Sequence, residues 1–142
     1  MEDNNQNKRT TRFTRDKTED ISNLLYGKIP PQARELEEAV LGALLIEGHC
    51  IEEIIDILKP ESFYVDAHAT IFRSILSLYE RSNPIDLLTV TEDLRRMAKL
   101  EEIGGAYYLS ELTNKIASSA NIVYHSRIIV QKFISREMIR IS

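Results

Sequence analysis

Apolar residues recur every three or four positions through one segment after another of this chain, and that spacing calls for helices. Ala33, Leu36, Ala39, Val40, Ala43 and Leu44 mark one face of a helix from Pro31 to about Ile46. Pro31 suits the first turn, where its missing N–H costs nothing. Gly48 ends this helix. Ile51, Ile54, Ile55 and Leu58 give a short second one, stopped by Pro60. Asp66 is placed to cap a third, which carries His68, Ile71, Phe72, Ile75, Leu76 and Tyr79 on one face. The turn RSNP at 81–84 leads to a fourth helix, capped by Asp86 and carrying Leu87, Val90, Leu94 and Met97. Gly104-Gly105 breaks the chain. Tyr107, Tyr108, Leu109, Leu112 and Ile116 mark a fifth helix, and ASSAN at 117–121 joins it to a last one running from about Asn121 to the end. No stretch alternates as a strand would, and no segment repeats. The fold class is all-α.

Residues 1–28 are expected to be a disordered tail. The first twenty of them hold one aromatic residue, Phe13, and little else that could be buried against the entropy of ordering. Its basic residues Lys8, Arg9, Arg12, Arg15 and Lys17 are expected to be solvated. The remaining length suffices for one domain with a core of its own. The formal net charge of −4 disfavours a chain whose main task is to grip a phosphate backbone. Cys50 is the single cysteine, so no intrachain disulfide framework is possible, which fits a reducing cytoplasm. The polar start holds no secretory signal, and no apolar run approaches the roughly 20 residues of a membrane span. A cytoplasmic protein without a membrane partner is expected.

The stretch PESFYVDAHATIF at 60–72 places Glu61, Asp66 and His68 close together, as an acid–base pair or a metal site would. It also supplies Phe63, Tyr64, Ile71 and Phe72 for a core. Asp66 has a role as a helix cap, and His68 shares the apolar face of the third helix and points toward the core edge, so a structural role is expected of both. No GxxxxGK[ST] is present to cradle a nucleotide phosphate, and no GxGxxG. His49, His68 and His125 form no HExxH, the lone cysteine makes no zinc-finger spacing, and no serine sits in a GxSxG elbow. No catalytic, cofactor-binding or metal-binding residues are expected within these 142 positions.

The last helix is long, about 22 residues or roughly 33 Å. Its apolar residues fall on two adjacent faces. Val123, Val130, Ile134, Met138 and Ile141 make one, widened by Tyr124 and Ile128. Ile122, Ile129 and Phe133 make the other. A helix this widely apolar is buried on more than one side. The short connection pairs it in an antiparallel hairpin with the shorter fifth helix, and that partner covers only one face. Either the preceding helices fold back over the rest, or another chain does. The second reading is preferred and gives a self-association surface of Tyr108, Leu112, Ile116, Ile122, Ile129, Phe133 and Ile134. Lys132, Arg136 and Arg140 line up at four-residue spacing and are expected to form a solvated face.

Five segments then occur in a telling order: PPQARELEEAVLGALL at 30–45, ESFY…H..IF at 61–72, NPIDLLTVTEDL at 83–94, GGAYYLSEL at 104–112 and AN..YH..I at 120–128. Together they resemble the N-terminal domain of the bacterial replicative DNA helicase, the DnaB family. Two positions depart from that pattern: Ala98 stands where the family often has glycine, and Ala117 where it often has proline. The resemblance implies a helical globular subdomain at 29–103 and a helical hairpin at 104–142, ahead of a RecA-like motor domain that carries the Walker motif. It implies a hexameric helicase of the replication fork, with dimers within the hexamer, and with ATP and Mg used by the full-length protein. Primase would dock on the collar, the helicase loader is a possible further partner, and DNA would be held mainly by the motor. The alternatives are a stand-alone helical protein-interaction module and a small DNA-binding domain.

Overall fold

A computed structural model of the chain describes residues 31–115 and 118–141. The tail, Ile116 and Ala117 lie outside the described residues. Among those described there are six α-helices and no strand: α1 Pro31–Ile46, α2 Ile51–Ile54, α3 Asp66–Glu80, α4 Leu87–Arg96, α5 Gly105–Asn114 and α6 Ile122–Ile141. The all-α class is as expected. No described helix is long and apolar enough to cross a membrane.

The second helix is shorter than its apolar spacing suggests. A 3₁₀ turn, Gly48–Cys50, precedes four α-helical residues, and the chain then turns away. Ile51, Ile54 and Leu58 are buried all the same. Gly48 is needed here for space, because a Cβ on it would meet the Ile85 carbonyl oxygen at 2.2 Å.

Helix α1 is the centre of the fold. Its single apolar face was legible, but Glu37, Glu38, Val40, Leu41, Ala43, Leu44 and Leu45 are all buried, which takes in more than half of its circumference. The reason is its neighbours: α3, α4, α5 and α6 all lie against it. Helix α3 closes the core from one side with Ile71, Phe72 and Ile75, and Phe63 meets Phe72 with ring centroids 5.1 Å apart. A buried carboxylate fastens α4 to α3. Asp93 accepts hydrogen bonds from Ser74 Oγ at 2.7 Å, Arg81 Nη2 at 2.8 Å and Arg96 Nη2 at 2.9 Å. Burial alone would raise its pKa, but these donors outweigh it and hold the carboxyl below its ordinary range.

The stretch expected to form a hairpin, 104–142, carries α5 and α6. Helices α5 and α6 each find their main partner in α1 rather than in each other. Helix α6 runs antiparallel to α1. Ser119, just ahead of it, donates to Glu47 Oε2 at 2.8 Å, and Arg136 comes under the charge of Glu37.

Caps explain where the helices start and stop. Asp86 accepts from Thr89 N at 2.8 Å and caps α4, as its position suggests. Asp66 does not cap α3. It is the first helical residue, the cap position belongs to Val65, and no side chain of that position supplies the missing acceptor. Helices α3 and α4 both end in a Schellman motif. Asn83 N donates to Leu78 O and Ser82 N to Tyr79 O. Lys99 N donates to Leu94 O and Ala98 N to Arg95 O. Each motif forces one residue into left-handed backbone: Ser82 at φ 57° and Ala98 at φ 58°. Glycine takes this conformation without strain, whereas a side chain costs about 1–2 kcal/mol. Glycine also loses more freedom on folding, by about 0.5–1 kcal/mol. Ala98→Gly should therefore stabilise the chain by up to about 1 kcal/mol, read as a higher urea midpoint at unchanged slope.

Candidate functional site

A buried polar group lies where α1, α3 and α5 meet. Glu37 occupies the register of the apolar stripe of α1, three residues before Val40 and seven before Leu44. Its Oε2 accepts from Tyr64 N at 2.8 Å and its Oε1 from Val65 N at 3.3 Å. These amides lie just ahead of α3, so a carboxylate from one helix holds the entry to another, and its negative charge suits that helix end. Glu37 Oε1 also lies 2.8 Å from His68 Nδ1. A carboxylate can only accept, so Nδ1 carries the proton of this bond. The far side of the ring, Nε2, meets the Tyr108 hydroxyl at 2.5 Å, and the two rings stack with centroids 5.9 Å apart.

A carboxylate, an imidazole and a hydroxyl in line are the parts of a nucleophilic triad. Here they do not make one. His68 is fully buried at 0% exposure, and burial together with the charge of Glu38 pushes the Tyr108 phenol up to about 12. A phenol held in its protonated form is the reverse of an activated nucleophile. The expectation that His68 sits at a core edge is corrected to the core itself, with Glu37 and Tyr108 as its partners. Tyr64 is corrected in the other direction. Its backbone is tied to Glu37, but its ring is exposed and takes the Arg136 guanidinium 5.3 Å from its centroid.

Arg136 itself is not on a solvated face. It follows Ile122 and Ile129 at seven-residue spacing, on the side of α6 that meets the globule. Its Nη2 donates to Ser62 O at 3.2 Å and its guanidinium lies 5.7 Å from the Phe133 ring. Burial lowers its pKa, against the pull of Glu37. Lys132 and Arg140 are exposed.

The structure divides the residues expected to mediate self-association. Leu112, Ile122 and Ile129 lie in the chain's own core. Tyr108 is half-buried on His68, and Phe133 half-buried beside Arg136. Ile116 falls outside the described residues. Ile134 is 50% exposed and, with Met138 at 67%, continues the second face of α6 beyond half-buried Val123 and Val130. The preceding helices thus fold back over one face of α6 and leave the outer half of the other open. Glu37 was not singled out in the sequence, and Arg136 was assigned there to a solvated face. The signal for both was a charged residue at a register position of an apolar stripe.

The comparisons with known proteins agree with this architecture. The family described as DnaB-like helicase N terminal domain matches residues 29–131. The chain belongs to that family. It is 54% identical over 110 residues to the replicative DNA helicase DnaB of Rhodothermus marinus, covering 78% of this chain and 12% of that protein. It is 43% identical over 120 residues to the DnaB of Geobacillus stearothermophilus, covering 84% and 26%. The chain therefore spans about a quarter or less of the length of these relatives. Among solved structures it is similar to the N-terminal domain of DnaB helicase from Mycobacterium tuberculosis. There the TM-score is 0.74 and the identity 36%, over 79% of this chain and 81% of that one. It is also similar to the N-terminal domain of the Helicobacter pylori DnaB helicase, a structure described together with its interactions with primase. That match has a TM-score of 0.66 and 25% identity, over 78% and 85% of the two chains.

Within this DnaB-type domain, the Glu37–His68–Tyr108 chain should act on stability. Tyr108→Phe leaves a buried imidazole nitrogen without its partner and should cost about 1–3 kcal/mol in a denaturant titration. His68→Ala should cost more, because it also opens a cavity and strips Glu37 of a donor.

Proposed function

We propose that the chain is the N-terminal oligomerisation and primase- or loader-docking domain of a hexameric, ATP-dependent replicative DNA helicase that unwinds duplex DNA at the fork. Family membership supports the helicase. The Helicobacter pylori neighbour, described with primase, supports the docking role. The sequence has no GxxxxGK[ST], so ATP and Mg would be held by residues outside these 142, in a motor domain. DNA would be engaged mainly there as well. Such a protein works in the cytoplasm.

The observation that carries the oligomerisation role is the open face of α6. Large apolar side chains gathered on one exposed helix face mark a surface meant for contact. Ile134 and Met138 are placed to meet a second copy, with Phe133 at the border. The unit of assembly would be a dimer, three of which form the collar of the hexamer. Isolated copies should pair weakly, because association costs offset much of what about 25 cal/mol per Å² of apolar burial contributes.

Two substitutions on one helix separate this reading from a purely internal role. Ile134→Asp should lower the apparent mass in light scattering at high micromolar concentration while changing unfolding by no more than about 0.5 kcal/mol. Ile129→Ala should do the opposite, costing about 2–5 kcal/mol of stability as a core truncation. A wild-type chain that stays strictly monomeric would remove the oligomerisation role. Failure of the intact hexamer to retain the cognate primase C-terminal domain in a pull-down would remove primase docking.

A further inference from the structure

The end of α1 and the 3₁₀ turn after it bring three kinds of metal ligand to one point. Cys50 Sγ lies 3.7 Å from Glu47 Oε2, and His49 Nε2 lies 3.9 Å from the same oxygen. The thiol, the imidazole nitrogen and the carboxylate oxygen all fall within 4.8 Å of one another. No other three His, Cys, Asp or Glu side chains among the described residues come so close. The cluster is distinct from the Glu37–His68–Tyr108 chain and from the open face of α6.

Its parts are differently placed. Cys50 is buried beneath, whereas the His49 ring is 79% exposed. The carboxylate between them is already held, by Ser119 Oγ at 2.8 Å from the connection ahead of α6. Tetrahedral zinc, with bonds of about 2.0–2.3 Å, spaces its ligand atoms about 3.2–3.7 Å apart. Each ligand therefore has to move by less than about 1 Å to meet that geometry.

We propose that Glu47, His49 and Cys50 form a three-ligand site for a divalent transition metal, zinc by the nature of the ligands. A thiolate and an imidazole select zinc and its borderline-soft neighbours over magnesium and calcium, which take oxygen ligands. Binding exchanges the Cys50 S–H bond for a sulfur–metal bond and releases one proton to water, with no change of oxidation state. Water completes the coordination. Because Ser119 already holds Glu47, an occupied site would pin the end of α1 to the approach of α6.

Cobalt(II) titration of the untagged chain tests this, with cobalt as the coloured stand-in for zinc. The expected result is a thiolate-to-cobalt charge-transfer band and tetrahedral d–d absorption. Both should saturate at one metal per chain and be abolished by zinc. Cys50 is the only cysteine, so no other thiol of the chain can give that band. His49→Gln is an exposed change that leaves the fold intact, and it should weaken zinc binding at least tenfold. Cys50→Ser should lose the charge-transfer band while circular dichroism confirms that it is folded. The proposal is overturned by a wild-type chain without the band. Saturation at half a metal per chain, or a His49→Gln variant that binds zinc as tightly as wild type, overturns it equally.

Discussion

The fold hangs on one carboxylate. Glu37 is carried into the interior by α1, the helix against which α3, α4, α5 and α6 all lie. A buried carboxylate is costly unless its oxygens are satisfied. This one accepts from two amides just ahead of α3 and from His68, which in turn meets Tyr108 on α5. The chain of bonds therefore sets the position of three helices at once. One of the two amides is that of Val65, which stands at the cap position of α3. Arg136 brings α6 to the same place, over Tyr64 and under the charge of Glu37.

With α6 fixed in this way, its two faces have separate roles. The Ile122 and Ile129 face completes the core. The Ile134 and Met138 face is turned outward. A helix with a single apolar stripe would have been absorbed by the globule. Val123 and Val130 of the other stripe pack against the core, whereas Ile134 and Met138 stay exposed. The exposed residues of that face are not core residues, so they can be changed without opening the core.

Much of this was legible beforehand. The helices, the Asp86 cap and the core face of α3 follow from local spacing and short-range capping, which a sequence displays directly. What was hidden depends on contacts between distant segments. Nothing near Glu37 indicates that its partners are His68, 31 residues away, and two amides beyond Pro60. The burial of α1 over more than half of its circumference follows from four neighbours, not from its own pattern. Leu112, Ile122 and Ile129 were read as interface and lie in the core, because apolar spacing does not say which chain covers a face. Ala98 was visible as a departure from a common glycine, but its cost appears only with its backbone angle. Glu47, His49 and Cys50 follow no standard motif, and a 3₁₀ turn brings them together.

The central claim is that Glu37 and Tyr108, which do not touch, act as one unit through His68. A double-mutant cycle measures this directly. The unfolding free energies of wild type, Glu37→Gln, Tyr108→Phe and the double variant would be compared in urea. The linked chain predicts that the two losses fail to add by about 1 kcal/mol or more, as for residues sharing one hydrogen-bond network. Additivity within about 0.3 kcal/mol, the behaviour of independent sites, would contradict it.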